Sequence, residues 1–226
     1  MTGFAFPLSP SAAWGFMIPE SAEETLQPGR GSGILLPVQT HSSNVAVATA
    51  DTLLLDDTDA VVTSVRGLRI GVRTADCVPV VVYAPDTGAV AAVHAGWKGT
   101  LAGIAGKAVD TLISMGADPR MMTARIGPCI CGDCYEVDEA LASRFAEAGF
   151  GTCGVRPAAE SSKPHLDLPA ANRLTLAGKG VADIAWCGLC TMHSEPADAS
   201  GRHFRLPSWR RVNGESKRIV TWIELK

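Results

Sequence analysis

Residues 71–104 read GVRTADCVPVVVYAPDTGAVAAVHAGWKGTLAGI, and the rest of the chain is organised around them. Val78–Ala84 and Ala89–Val93 are short apolar runs rich in β-branched residues, which predicts two buried strands. Pro85-Asp86-Thr87-Gly88 between them is turn chemistry, so the two runs form a hairpin. Cys77 immediately precedes the first run and His94 immediately follows the second. The hairpin therefore brings a thiol and an imidazole to one end of a sheet, a donor pair suited to a borderline-soft cation such as zinc. After His94-Ala-Gly-Trp-Lys-Gly99 the apolar residues Leu101, Ile104, Ala105, Ala108, Val109, Leu112 and Ile113 recur at helical spacing. Gly116 supplies the stop.

Working outward, Ala12–Ile18 reads as an edge strand and Glu20–Gly33, with its glycines and Pro28, as a mobile loop. Ile34–Val38 and Val45–Ala48 read as strands flanking a loop that carries His41. Asp59–Thr63 and Leu68–Val72 read as strands joined by a turn at Arg66-Gly67, and Met121–Ile126 as another strand. Asp138 caps a helix running to about Ala148, with Gly149 closing it. Residues 150–164 read as loop, Asp167–Ala177 as a helix and Ile184–Trp186 as a short strand. Asn213-Gly214 signals a hairpin in the tail. Hairpins mixed with single helices predict mixed sheets covered by helices in one domain spanning residues 1–226.

The 226 residues are 46% hydrophobic and 19% charged, the balance of a globular chain with a large core. A net charge of −3 without a Lys/Arg cluster argues against nucleic-acid binding. No apolar stretch reaches the roughly 18 residues of a membrane span. The N-terminus lacks the basic and apolar regions of a secretory signal. Seven cysteines, an odd number, favour reduced thiols in a cytoplasm over a disulfide scaffold.

His41, Cys77 and His94 form the leading constellation, because three protein ligands leave a fourth tetrahedral position for water or substrate. Asp76, beside Cys77, reads either as a turn residue or as a partner of a metal-bound histidine or proton carrier. The pairs Cys131/Cys134 and Cys187/Cys190 have knuckle spacing but lie much further apart than the roughly 15–20 residues of compact four-cysteine zinc modules, so reduced thiols are the stronger reading. Lys98, Arg210 and Arg211 are candidates for holding an anion, and of these Lys98 and Arg211 are assigned to phosphate.

The segments Thr74-Ala-Asp-Cys77-Val-Pro79, His94-Ala-Gly-Trp-Lys-Gly99, Gly127-Pro-Cys-Ile130, Tyr135-Glu-Val137, Asp167-Leu168, Cys190-Thr191 and Ser208-Trp-Arg-Arg211 occur in an order that resembles the laccase-domain, or multicopper polyphenol oxidase, family. The resemblance implies a fold of class α+β: two packed mixed sheets flanked by helices, an α-β-β-α sandwich. It implies one zinc ion on His41 (within Gln39-Thr-His41), Cys77 and His94. It also implies phosphorolysis of purine nucleosides, including methylthioadenosine, with adenosine deamination alongside. Alternatives carried by the same family are a hydrolase that edits peptidoglycan precursors and a copper-dependent polyphenol oxidase. A non-catalytic protein stabilised by its metal is a further alternative. Five histidines are too few for a multicopper centre, which favours zinc. The chain departs from the family at Pro19–Glu24, where members carry an Arg before the Gln-x-His motif.

Overall fold

In the computed structural model, residues 1–21, 26–151, 154–156 and 163–226 are described below. Of the loop read over Glu20–Gly33, residues 22–25 lie outside the described residues. So do residues 152–153 and 157–162 of the loop read over 150–164.

The strands are β1 (Thr2–Ser9), β2 (Ala12–Ile18), β3 (Val45–Val47), β4 (Ala60–Thr63), β5 (Ile70–Thr74), β6 (Val78–Ala84), β7 (Ala89–Ala95), β8 (Thr123–Ile126), β9 (Val155–Arg156), β10 (His165–Leu166), β11 (Asp183–Trp186) and β12 (Ile219–Leu225). The helices are α1 (Trp97–Leu101), α2 (Ile104–Ser114), α3 (Glu139–Phe145) and α4 (Leu168–Gly178). Six strands form a mixed sheet in the order β11-β8-β6-β7-β4-β3, and four form an antiparallel sheet in the order β1-β2-β12-β5. The class is α+β, as the sequence predicts.

The hairpin that anchors the sequence reading is present, with Val78 opposite Ala95 and Pro79 opposite His94. Strand alternation explains why both of its strands are apolar throughout. Val80, Val82, Ala91 and Val93 face one core, shared with Ile104, Ala108 and Leu112 of α2 and Leu176 of α4. Val81, Tyr83, Val90 and Ala92 face the other, shared with Phe16, Ile70, Val72 and Ile223 of the four-stranded sheet. Each such fully buried aliphatic side chain contributes about 1.5–3 kcal/mol. Residues of all four helices join the first core. Over the outer face of the four-stranded sheet, Val220 and Trp222 are covered by Ile34 and Leu36, with Leu26 beside them. That layer is extended chain among the described residues.

Five sequence readings are corrected. Ala12–Ile18 is not an edge strand: β1 lies outside it, pairing from Thr2↔Ile18 to Ser9↔Ala12. Pro7 hides β1 in the sequence, and a proline is tolerated there because the outer edge of β1 needs no donor. Ile34–Val38 makes only single bridges, from Leu35 to Ile70 and from Leu36 to Gly29, because Pro37 supplies no N–H to extend a ladder. The strands on either side of Arg66-Gly67 belong to different sheets, so that turn carries the chain across the sandwich. The tail has one strand, β12; residues 203–218 are irregular, and Asn213-Gly214 only turns that loop. The helix after Trp97 is interrupted at Gly103, whose φ of 72° ends α1 and starts α2. Asp138 and Asp167 do cap α3 and α4, accepting from Leu141 N–H and Ala170 N–H.

Candidate metal centre and cleft

A cleft of about 720 Å³ opens where β5 and β7 end and β6 begins, with His41, Asp76, Cys77, His94, Trp97, Tyr135, Arg73, Arg210 and Arg218 on its walls. The donor atoms of His41, Cys77 and His94 all lie within 4.8 Å of one another. Cys77 Sγ is 3.9 Å from His41 Nε2. The two imidazoles meet edge to face, with centroids 4.8 Å apart.

Asp59, at the head of β4, organises this triad. Its carboxylate is fully buried, and its Oδ1 lies 2.6 Å from Nδ1 of His94. A donor at Nδ1 turns Nε2 toward the cleft as the free coordinating nitrogen. The same carboxylate accepts the backbone N–H of Thr40, His41 and Ser42 and the hydroxyl of Ser42, at 2.7–3.2 Å. One anion thus positions one ligand side chain and the backbone of another. Burial raises the Asp59 pKa, but hydrogen bonds from His94 and Ser42 outweigh it and bring the group down to about 2. The sequence reading missed Asp59; an acid at a strand start beside a ligand loop was the available signal.

Burial raises the Cys77 pKa, yet His94 and His41 beside it lower it to about 6. Burial likewise lowers that of His94, and the Cys77 thiolate and Asp59 raise it to about 9. At neutral pH without metal, the pair is a thiolate and an imidazolium. Gln39 of the Gln-x-His motif is a staple: its amide donates to Arg73 O and accepts from Arg73 N–H at 2.9 and 2.8 Å, holding the ligand loop to β5. Gly96 is required by close approach, since a Cβ there would sit 3.0 Å from Cys77 Sγ and 3.1 Å from His41 Cδ2.

The Asp76 carboxylate is engaged away from the two histidine ligands. Its carboxylate accepts from Thr191 Oγ1 at 2.5 Å and from Arg210 N–H at 2.7 Å, tying two distant loops to the cleft wall. Asp76 (φ 92°), His41 (φ 61°) and Asp57 (φ 42°) are the non-glycine residues with positive φ among those described, and all three lie in or beside the site. Strain concentrated in this way marks a functional region.

Two residues assigned to phosphate lie elsewhere. Lys98 is exposed and is not a cleft residue; its ammonium sits 5.5 Å from the Trp97 ring. Arg211 spends its guanidinium on the carbonyls of Thr191, Met192 and Leu206. The cleft arginines are Arg73, Arg210 and Arg218, and the Arg210 guanidinium lies 5.2 Å over the Tyr135 ring. Arg210 was among the sequence candidates; Arg73 and Arg218 were not, because only the fold brings β5 and the start of β12 together.

The fold and the His-Cys-His centre define the class. The family model for multi-copper polyphenol oxidoreductase laccase matches residues 21–226, and the chain belongs to that family. A purine nucleoside phosphorylase of Deinococcus radiodurans is 38% identical over 167 residues, 74% of this chain and 61% of that protein. Adenosine deaminase RL5, from an unknown prokaryotic organism, is 37% identical over 80% of this chain and 74% of its own. A purine nucleoside phosphorylase of Streptomyces coelicolor is 40% identical over 69% and 64%. The chain therefore spans about six-tenths of the first of these relatives. Among solved structures, YlmD of Geobacillus stearothermophilus shares the fold with a TM-score of 0.79 at 24% identity, covering 96% of this chain and 93% of that one. No helix among the described residues is long and apolar enough to cross a membrane.

Proposed function

We propose that this chain is a zinc-dependent purine nucleoside phosphorylase that also deaminates adenosine and accepts methylthioadenosine. The observation that carries the reading is the buried Asp59 carboxylate, which orients His94 and fixes the loop of His41 around one point. Tetrahedral zinc with ligand bonds of about 2.0–2.3 Å places its ligands about 3.3–3.8 Å apart, close to the spacing found for Cys77 and His41. The donor set of two histidines and one cysteine fits zinc with an open fourth position. Among the described residues no methionine lines the cleft to serve as the axial ligand of a blue-copper site. Zinc bound there supplies Lewis-acid polarisation of an oxygen and lowers the pKa of a water.

The chain's own residues do the rest. Trp97, Tyr135 and Trp209 offer flat faces to a purine in the cleft. Burial first, then the nearby Cys77, push the Tyr135 hydroxyl up to about 12, so it is a neutral donor at pH 7. Arg73, Arg210 and Arg218 present positive charge to phosphate, the co-substrate of phosphorolysis. Asp76 keeps free lone pairs beyond its bonds to Thr191 and Arg210 and is positioned at the cleft wall to take a proton.

The test is purified protein incubated with adenosine or methylthioadenosine, with and without phosphate, and analysed by chromatography. The expected products are the free purine base with phosphate and inosine from adenosine without it. Product no greater than that of a His94→Ala control overturns the reading. Release of serine from a muramoyl-serine precursor by the same preparation would replace it with the editing hydrolase.

A further inference from the structure

A second group of ligand-type side chains lies outside the cleft: Cys131, Cys134, Cys190 and His193 have their donor atoms within 4.8 Å of one another. The topology makes this meeting. β8 and β11 run parallel, with Ile126 opposite Trp186, so both strands leave the sheet at the same end. The two exits stay together through a parallel bridge between Cys129 and Cys190. Each then folds into a tight turn, closed by Cys134 N–H to Cys131 O at 3.1 Å and by Ser194 N–H to Cys190 O at 2.9 Å. One turn presents Cys-x-x-Cys and the other Cys-x-x-His. The sequence reading paired Cys187 with Cys190; in the structure Cys187 packs against the inter-sheet core and His193 takes the fourth place.

We propose that Cys131, Cys134, Cys190 and His193 bind a second, structural zinc ion. Three thiolates and one imidazole form a closed tetrahedral set, the donor chemistry of structural zinc. Cys134 Sγ and His193 Nδ1 are 3.6 Å apart, within the edge length of such a tetrahedron. Cys190 Sγ accepts the N–H of Cys131 at 3.3 Å and of Met192 at 3.4 Å, the kind of support that stabilises a ligating thiolate. A disulfide between two of the cysteines would leave the third thiol and the imidazole without a reason to converge.

The ion would clamp the two loops that hold Asp76. Ile130, one residue before Cys131, donates its N–H to Asp76 O at 2.9 Å. Thr191, one residue after Cys190, donates its hydroxyl to the Asp76 carboxylate. Arg211 binds the carbonyls of Thr191 and Met192. The zinc therefore fixes one wall of the cleft from behind, without entering it, and does not depend on His41, Cys77 or His94.

Metal analysis of protein purified under reductant, in zinc-supplemented medium, tests this. Wild type should carry two zinc ions per chain. His193→Ala and Cys134→Ser should each carry one, and His41→Ala/His94→Ala should also carry one. In that double variant, cobalt substitution should give the tetrahedral visible spectrum and strong near-ultraviolet absorption of a three-thiolate site. His193→Ala should melt at a clearly lower temperature than wild type. If the cysteine variants do not fold, the wild-type cobalt spectrum and a two-step release of zinc by a mercurial thiol reagent report the same site. The proposal is overturned by a single zinc in wild type with no zinc in His41→Ala/His94→Ala. It is equally overturned by mass mapping that finds a disulfide among Cys131, Cys134 and Cys190 in the reduced preparation.

Discussion

Replacing Asp59 with Ala removes the acceptor shared by five donors: His94 Nδ1, three backbone N–H groups and the Ser42 hydroxyl. Asp59 is 0% exposed and His94 3%, so water does not substitute for the carboxylate at the His94 end, while the Thr40–Ser42 loop is partly open to solvent. Each buried donor left unpaired costs about 1–3 kcal/mol, and breaking a buried charged pair about 3–5 kcal/mol in all. The loops relax, so we expect the lower sum, about 3–5 kcal/mol. Metal affinity should fall about 10- to 100-fold, because His94 loses its orientation. Two assays separate the effects: denaturant unfolding of the metal-free protein and zinc competition against a chromophoric chelator. Asp59→Asn should recover part of the stability and little of the affinity, since its amide turns a donor toward donors. If Asp59→Ala binds zinc like wild type and loses less than about 1 kcal/mol, the organising role assigned to this carboxylate is wrong. The pH dependence has a definite sign. The Asp59 pKa falls from 3.8 to about 2 on folding, so its contribution is complete above pH 4 and is lost as pH drops toward 2.

Cys77 in metal-free protein should be alkylated by iodoacetamide with a midpoint near pH 6, and bound zinc should protect it; peptide mapping reads both. Gly96→Ala should cut metal content sharply at small cost to the melting temperature, because the new Cβ collides with Cys77 Sγ and the His41 ring. Arg210→Ala should raise the KM for phosphate while leaving the melting temperature within a degree or two, whereas Arg211→Ala should lower stability by about 1–3 kcal/mol through three partly buried carbonyls left without their donor. Asp76→Asn should lower kcat more than it raises KM, measured on adenosine at saturating phosphate.

The hairpin of β6 and β7, with Cys77 and His94 at one end, was legible because two uninterrupted apolar runs flank an unambiguous turn. The cap at Asp138 was legible for a similarly local reason: a side chain bonds to its own neighbouring backbone. What escaped was set by pairing between distant segments. β1 carries Pro7 and is mostly exposed or half-buried, so nothing in its own pattern marks it as a strand. β4 and β5 look like a hairpin locally, and only the demand for a second sheet separates them. Arg211 reads as a surface cation until the fold surrounds it with carbonyls, while Arg73 sits inside a strand and reads as a break in the apolar pattern. Asp59 leaves only the local signal of an acid at a strand start, for the same reason: its partners are 17 to 35 residues away in sequence.

Counted in elementary charges, the centre around Asp59 has a simple consequence. Without metal at pH 7 it holds a carboxylate, a thiolate and one imidazolium, a net charge of −1. A divalent cation on Cys77 and His94 needs the imidazole neutral, so its arrival expels one proton and leaves the ensemble at zero. A monovalent cation in its place leaves one uncompensated negative charge against the buried Asp59–His94 pair, which is costly. Metal uptake is therefore an exchange of a proton for a doubly charged ion. Its affinity strengthens as pH rises and the His94 proton becomes easier to release, and this gain ends once His94 has lost its proton.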